Sequence, residues 1–166
     1  EPADPMVPFD GINQFLQMAL SQLYVIGGEC DYEPTRDHSV TALAEVAGVD
    51  PLSMCYDLLN ADGGKAFLML PLLNYVDANE DVIHEMLTNP VAINGLADGG
   101  AHVRMICDAS IPTYLLTHWA RDRKRGPRIS VEEAVRLQTS ATADFLGFSD
   151  RGVIEVGRKA DINVID

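Results

Sequence analysis

The chain is 166 residues long, with 47% apolar and 22% charged residues, a composition that suits one globular domain and argues against an intrinsically disordered chain. Twelve Lys and Arg against 25 Asp and Glu leave a formal net charge of −13, which removes any general attraction to phosphate backbones or anionic lipid. Nucleic acid and membrane are therefore not expected as partners.

The apolar stretch from Ala66 to Leu73 contains Pro71 and is far shorter than the roughly 20 residues of a membrane-spanning helix. The expectation is a soluble protein. Cys30, Cys55 and Cys107 are widely spaced and form no C-x-x-C, so neither a disulfide framework nor a structural zinc site is indicated. Reduced thiols and a cytoplasmic location follow as the default.

Pro2, Pro5 and Pro8 mark a tail or an entry loop. Apolar residues at Phe9, Ile12, Phe15, Leu16, Ala19, Leu20 and Leu23 fall at helical spacing, which predicts a helix from Phe9 to Tyr24, stopped by Gly27-Gly28. Cys30 to Asp37 reads as a loop. A helix is predicted from Ser39 to Ala47, ending at Gly48. Asp50-Pro51 provides an N-cap and first-turn proline for the next, which runs to about Asn60. Ala66 to Leu73 reads as a buried strand or short apolar segment. Asn79 is placed to cap a helix from Glu80 to Leu87, and Val91 to Gly95 reads as a short buried strand.

Pro112 opens a helix to about Arg125, whose basic end, Arg121 to Arg125, is expected in solvent near the negative end of the macrodipole. Ser130 and Glu133 form a capping box for a helix from Val131 to Gln138. A short helix follows from Thr142 to Leu146. Gly152 to Val156 and Asp161 to Ile165 read as two short strands about a turn at Val156 to Lys159. Helices alternating with short apolar runs argue for an α/β class.

The segment Ala92 to Asp108, AINGLADGGAHVRMICD, is the most informative chemically. It runs from an apolar stretch into Asp98, flanked by Gly95, Gly99 and Gly100, with His102 four residues on. Glycines let a backbone approach a ligand or take positive φ. In α/β folds the loop at a strand's carboxyl end is a preferred functional location. An Asp there can bind a metal or accept a proton from metal-bound water. A glycine turn with Asp supplying a local hydrogen bond is the structural alternative. Asp108, Ser110 and His118 are the residue types of a hydrolytic triad, but no G-x-S-x-G surrounds Ser110, which is better read as a helix cap. His118 and Trp119 share a helix face with Tyr114 and Leu115 and read as packing residues. His84, Asp57, Asp77 and Asp81 read as surface groups, and Cys107 as a small buried hydrophobe.

Asn94 to Arg123 resembles the D-aminoacylase and N-acyl-D-amino-acid deacylase branch of the amidohydrolase superfamily. Asp31-Tyr32-Glu33-Pro34 followed by Ser39 is similar to the same branch. The closing run from Gly152 to Asp166 resembles a terminal pattern shared across amidohydrolases. The resemblance implies part of a metal-dependent (β/α)8 TIM barrel, comprising its last strands and helices over residues 1–150, and the first strands of a small β-sandwich tail over residues 151–166. It implies hydrolysis of an amide or related C–N bond in a small molecule such as an N-acyl amino acid. Asp98 would be the catalytic carboxylate and metal neighbour, and His102 a substrate contact. Zinc is the implied cofactor of the parent enzyme. The chain departs from the family in having no His-x-His; His38, His84, His102 and His118 are its only histidines. A catalytic zinc takes three protein ligands. The expectation is a C-terminal fragment of a longer enzyme, inactive by itself or active only with a complementary partner chain, with the zinc assigned to the parent enzyme. The rival expectation is a non-catalytic assembly module derived from a barrel, with homo-oligomers or domain swaps through exposed edges.

Overall fold

A computed structural model of the chain describes residues 19–26, 30–71, 73–95, 97 and 108–165. It is a mixed α/β structure that divides into two compact units, Glu1–Glu80 and Asp81–Asp166.

In the first unit, β1 (Tyr24–Ile26) pairs antiparallel with β2 (Phe67–Met69), with Tyr24 opposite Met69 and Ile26 opposite Phe67. Helix α1 (Val40–Ala47) begins where the Ser39 hydroxyl accepts the Ala42 N–H at 3.2 Å. It ends at Gly48, whose φ of 67° lets its N–H turn back to the carbonyls of Ala44 and Glu45, a left-handed cap that side chains resist. Helix α2 (Pro51–Gly64) starts on Asp50, whose carboxylate accepts the N–H groups of Leu52 and Ser53 at 3.0 and 3.1 Å. Its regular part closes at Asn60, because Ala61, Asp62 and Gly63 leave helical φ/ψ. The apolar interior here holds Leu20, Tyr24, Val40 and Ala44, with Tyr24 edge-on to Tyr75 at 5.5 Å.

In the second unit, α3 (Asp81–Thr88) and α4 (Ile111–Tyr114) precede a π-helical segment, Leu115–Asp122. Helix α5 (Val131–Gln138) and α6 (Ser140–Phe145) follow. Leu115, Trp119, Ile129, Ala134 and Leu137 form the buried cluster, with Ile83 and Leu87 of α3 against it. The capping box forms at its serine end: Ser130 Oγ accepts the Glu133 N–H at 3.1 Å.

Several expected elements differ. The predicted helix to Tyr24 gives way to a short 3₁₀ turn at Leu20–Gln22, and Tyr24 is already in β1; residues 9–18 lie outside the described residues. The last residue of the predicted helix, Tyr24, pairs with Met69 of β2 instead. Val91 to Gly95 is not a strand. The Asn89 side chain accepts the Val91 N–H at 3.0 Å and its carbonyl accepts the Ala92 N–H at 3.0 Å, so the backbone turns. The predicted strands at 152–156 and 161–165 are bends, turns and irregular chain without a ladder. The turn expected between them does form, with Gly157 at φ 92° and the Lys159 N–H donating to the Asp150 carbonyl at 2.7 Å. A strand needs a neighbour to hold its N–H and C=O groups, and the described residues show none beside these runs. A closed barrel and a sandwich are not among the described elements, which contain one two-stranded sheet.

Candidate functional site

The two residues singled out for chemistry, Asp98 and His102, lie outside the described residues, as does Cys107. What is described is the approach to Asp98. After the Asn89 turn, the chain is held at Asn94, whose carbonyl lies 3.3 Å from the Thr142 hydroxyl of α6. The same hydroxyl donates to the Leu137 carbonyl at 2.8 Å. Thr142 thus ties the segment before Asp98 to the end of α5 and the start of α6.

The first unit contains two buried carboxylates that sequence reading missed. Glu33 and Glu80 are 2% and 8% exposed, and their carboxylate oxygens come within 4.8 Å. Glu33 Oε1 accepts the Glu80 backbone N–H at 2.8 Å, and the Glu33 N–H donates to Asp31 at 2.9 Å. Next to Glu33, the Pro34 carbonyl accepts the Tyr75 hydroxyl at 2.7 Å. The sequence signal was the D-Y-E-P run: a proline and two carboxylates in one loop fix backbone and side-chain partners together.

Oxygen-rich pairs of this kind suit hard cations, whereas a catalytic zinc takes three protein ligands. Within neither unit taken alone do three His, Cys, Asp or Glu donors converge among the described residues. The described donors of a single unit therefore do not complete a zinc site. His38 is turned to Thr35, its Nδ1 2.9 Å from the hydroxyl. Cys55 is no ready nucleophile, since burial pushes its thiol above the ordinary value of 9.0 and keeps it protonated at neutral pH. The Tyr32 phenol is also raised, first by a hydrogen bond with Cys30 and then by that neighbour's charge and by burial.

The second unit buries its own polar cluster in the π-helical segment. His118 stacks on Tyr114 with ring centroids 4.7 Å apart and planes 4° apart, and meets Trp119 edge-on at 5.4 Å. This agrees with the packed helix face read from the sequence. The wide turn closes where the His118 carbonyl accepts the Arg123 N–H at 2.8 Å. Such turns recur near functional sites because they re-aim side chains. Ser110 makes no side-chain cap bond at the start of α4.

Arg123 departs from the solvated basic end that was expected. Its side chain is fully buried, with the guanidinium 4.9 Å from the Trp119 ring centre and 2.7 Å from Asp81. It also donates to the Pro127 carbonyl at 2.6 Å. Asp81 is accordingly an ion-pair partner and not an idle surface charge. His84 is half-buried, its ring 6.4 Å from Trp119. The other shifted carboxylates belong to surface pairs and caps. The Arg121 hydrogen bond lowers Asp122, and the Arg136 hydrogen bond lowers Glu133.

Among the described residues no helix is long and apolar enough to cross a membrane. A family model described as the amidohydrolase family matches residues 11–166. No curated protein and no solved structure matches the chain.

Proposed function

The chain belongs to the amidohydrolase family, and from that premise we propose that it is the Asp98-bearing part of a metal-dependent hydrolase acting on the C–N bond of N-acyl amino acids, similar to N-acyl-D-amino-acid deacylases. The observation that carries the proposal is the family match itself, which runs through the whole segment from Asn94 to Arg123 where the resemblance to that branch is strongest.

In this reading a bound divalent cation supplies Lewis acidity to the hydrolytic water and the amide carbonyl. Asp98 accepts a proton from the attacking water and returns it to the leaving nitrogen, the task of a positioned carboxylate in general acid–base catalysis. Gly99 and Gly100 keep the backbone after it free of side chains, so an amide can approach closely. His102 contacts the substrate. The metal ligands are not completed by the described residues of either unit, and the sequence has no His-x-His. In this reading the catalytic unit includes further ligands, and the 166-residue chain is inactive by itself or active only with a complementary partner chain. Its uncombined thiols at Cys30 and Cys55 suit a reducing, cytoplasmic setting.

The test is release of free amino acid from N-acyl amino acids by the product of the complete reading frame that contains these residues. Hydrolysis that a chelator abolishes and added zinc restores is expected. Failure to cleave any N-acyl amino acid or related amide, with metal supplied, overturns the proposal. The assembly reading has one observation in its favour: Ile154, Val156 and Val164 are almost fully exposed apolar residues in the closing run. Sedimentation of the chain as a stable dimer or larger species is its expected sign, and a monomer over the micromolar range contradicts it.

A further inference from the structure

The sequence holds seven asparagines, and only Asn94 is followed by glycine. Glycine has no Cβ, so the nitrogen after Asn94 meets the least steric opposition in reaching the asparagine's own side chain. Asn94 is half-buried and Gly95 is exposed. Among the described residues, the Gly95 N–H has no acceptor and the Asn94 carboxamide no hydrogen-bond partner. The other asparagines differ. Asn89 precedes Pro90, which has no N–H to lose. The nitrogen after Asn79 is engaged, since the Glu80 N–H donates to Glu33 Oε1 at 2.8 Å. Asn60 donates its carboxamide to the Tyr56 carbonyl at 2.7 Å. Asn163 precedes the β-branched Val164, whose side chain crowds its own nitrogen.

We propose that Asn94-Gly95 is a site of spontaneous covalent modification, at which Asn94 becomes isoaspartate or aspartate. The Gly95 nitrogen loses its proton and bonds to Asn94 Cγ. The Cγ–Nδ2 bond breaks, and Nδ2 leaves as ammonia with that proton, closing a five-membered succinimide. Water then opens the ring. Opening at the Asn94 main-chain carbonyl routes the backbone through Cγ, frees that carbonyl as a carboxylate and yields isoaspartate. Opening at Cγ restores the backbone and yields aspartate. Either product adds one negative charge to a chain already at −13. Isoaspartate also inserts Cβ into the main chain and takes out of it the carbonyl that lies 3.3 Å from the Thr142 hydroxyl. The segment after the Asn89 turn then loses its main-chain tie to α6.

The test is prolonged incubation of the full 166-residue chain at physiological temperature, in neutral buffer made with ¹⁸O-water, followed by peptide mapping by mass spectrometry. One ¹⁸O atom enters at each converted asparagine, which separates this reaction from isomerisation of an aspartate already present. Label at Asn94 is expected to accumulate about tenfold faster than at any other asparagine, with isoaspartate among the products by electron-transfer fragmentation. A Cβ on Gly95 meets nothing within 4 Å, so Gly95→Ala keeps the fold, checked by matching circular dichroism, and slows labelling at Asn94 about tenfold. The free peptide of residues 91–97 supplies the reference rate, and the folded chain is expected within about tenfold of it, as for an exposed, unbonded backbone nitrogen. Equal labelling of Asn94 and the other asparagines, equal rates with and without Gly95→Ala, or a folded chain protected well beyond tenfold against the free peptide overturns the proposal.

Discussion

The buried pair of Arg123 and Asp81 has unequal partners, and the inequality predicts which variant is worse. The Arg123 side chain is 0% exposed and the Asp81 side chain 56% exposed. Asp81→Ala leaves a guanidinium in the interior without the carboxylate 2.7 Å away. Breaking a buried pair this way costs about 3 kcal/mol, the lower end of the usual range because one partner already meets water. Arg123→Met removes the buried charge itself, and Asp81 is left half in solvent, where hydration replaces the lost partner. The residual loss is the bond to the Pro127 carbonyl and the contact over Trp119, offset by the charge no longer desolvated, for a net of about 1 kcal/mol. With Met at 123 the Asp81 substitution matters little, so the double variant lies near Arg123→Met alone and far from the additive value. Urea unfolding followed by Trp119 emission reads the unit concerned, with constant m-values required for the comparison. Arg123→Met at least as destabilising as Asp81→Ala, or additive single variants, would refute the reasoning.

Four further outcomes follow from the same structure. Gly126 sits at φ 76°, and a Cβ there would crowd both the Asp81 carboxylate and the Arg123 guanidinium; Gly126→Ala lowers stability by about 2 kcal/mol in the same urea assay, and a neutral effect would contradict the described turn. Ser130→Ala removes the bond to the Glu133 N–H and costs about 1 kcal/mol of thermal or urea stability, whereas Ser130→Asp retains it. Glu133 is held below its ordinary value of 4.5 by Arg136, so its contribution is present above that value and lost as pH falls through the lower folded-state midpoint; a carboxyl NMR titration with a midpoint at or above 4.5 would contradict the pairing. Dialysed 166-residue chain carries well under one zinc per chain by elemental analysis, and a value near one would show a ligand set that the separate units do not display.

Local chemistry made much of the fold legible. Ser39, Asp50-Pro51 and Ser130 each supply an acceptor to a free helical N–H, and the helices start at or beside them. Gly48 and Gly147 mark ends because they take positive φ. What stayed hidden depends on partners distant in sequence. Arg123 reads as a solvated cation until Asp81, 42 positions earlier, is placed against it. Glu33 reads as a loop acid until the Glu80 N–H, 47 positions later, meets it. The closing apolar run has the alternation of strands, but alternation specifies which face is apolar and cannot supply the neighbouring strand. The π-helical segment keeps the helical spacing of its apolar residues, so only the extra residue in its turn distinguishes it. Asp98 and His102 rest on sequence alone, through the glycine-flanked motif and the family match that spans it.

The central claim is that Asp98 moves the proton in a metal-dependent amide hydrolysis. The most direct measurement compares kcat/KM for an N-acyl amino acid between the complete gene product and its Asp98→Asn variant, at equal metal content and with matching circular dichroism. The account predicts a loss of about a thousandfold, the middle of the range for a general acid–base group. Rates within tenfold of each other would contradict it.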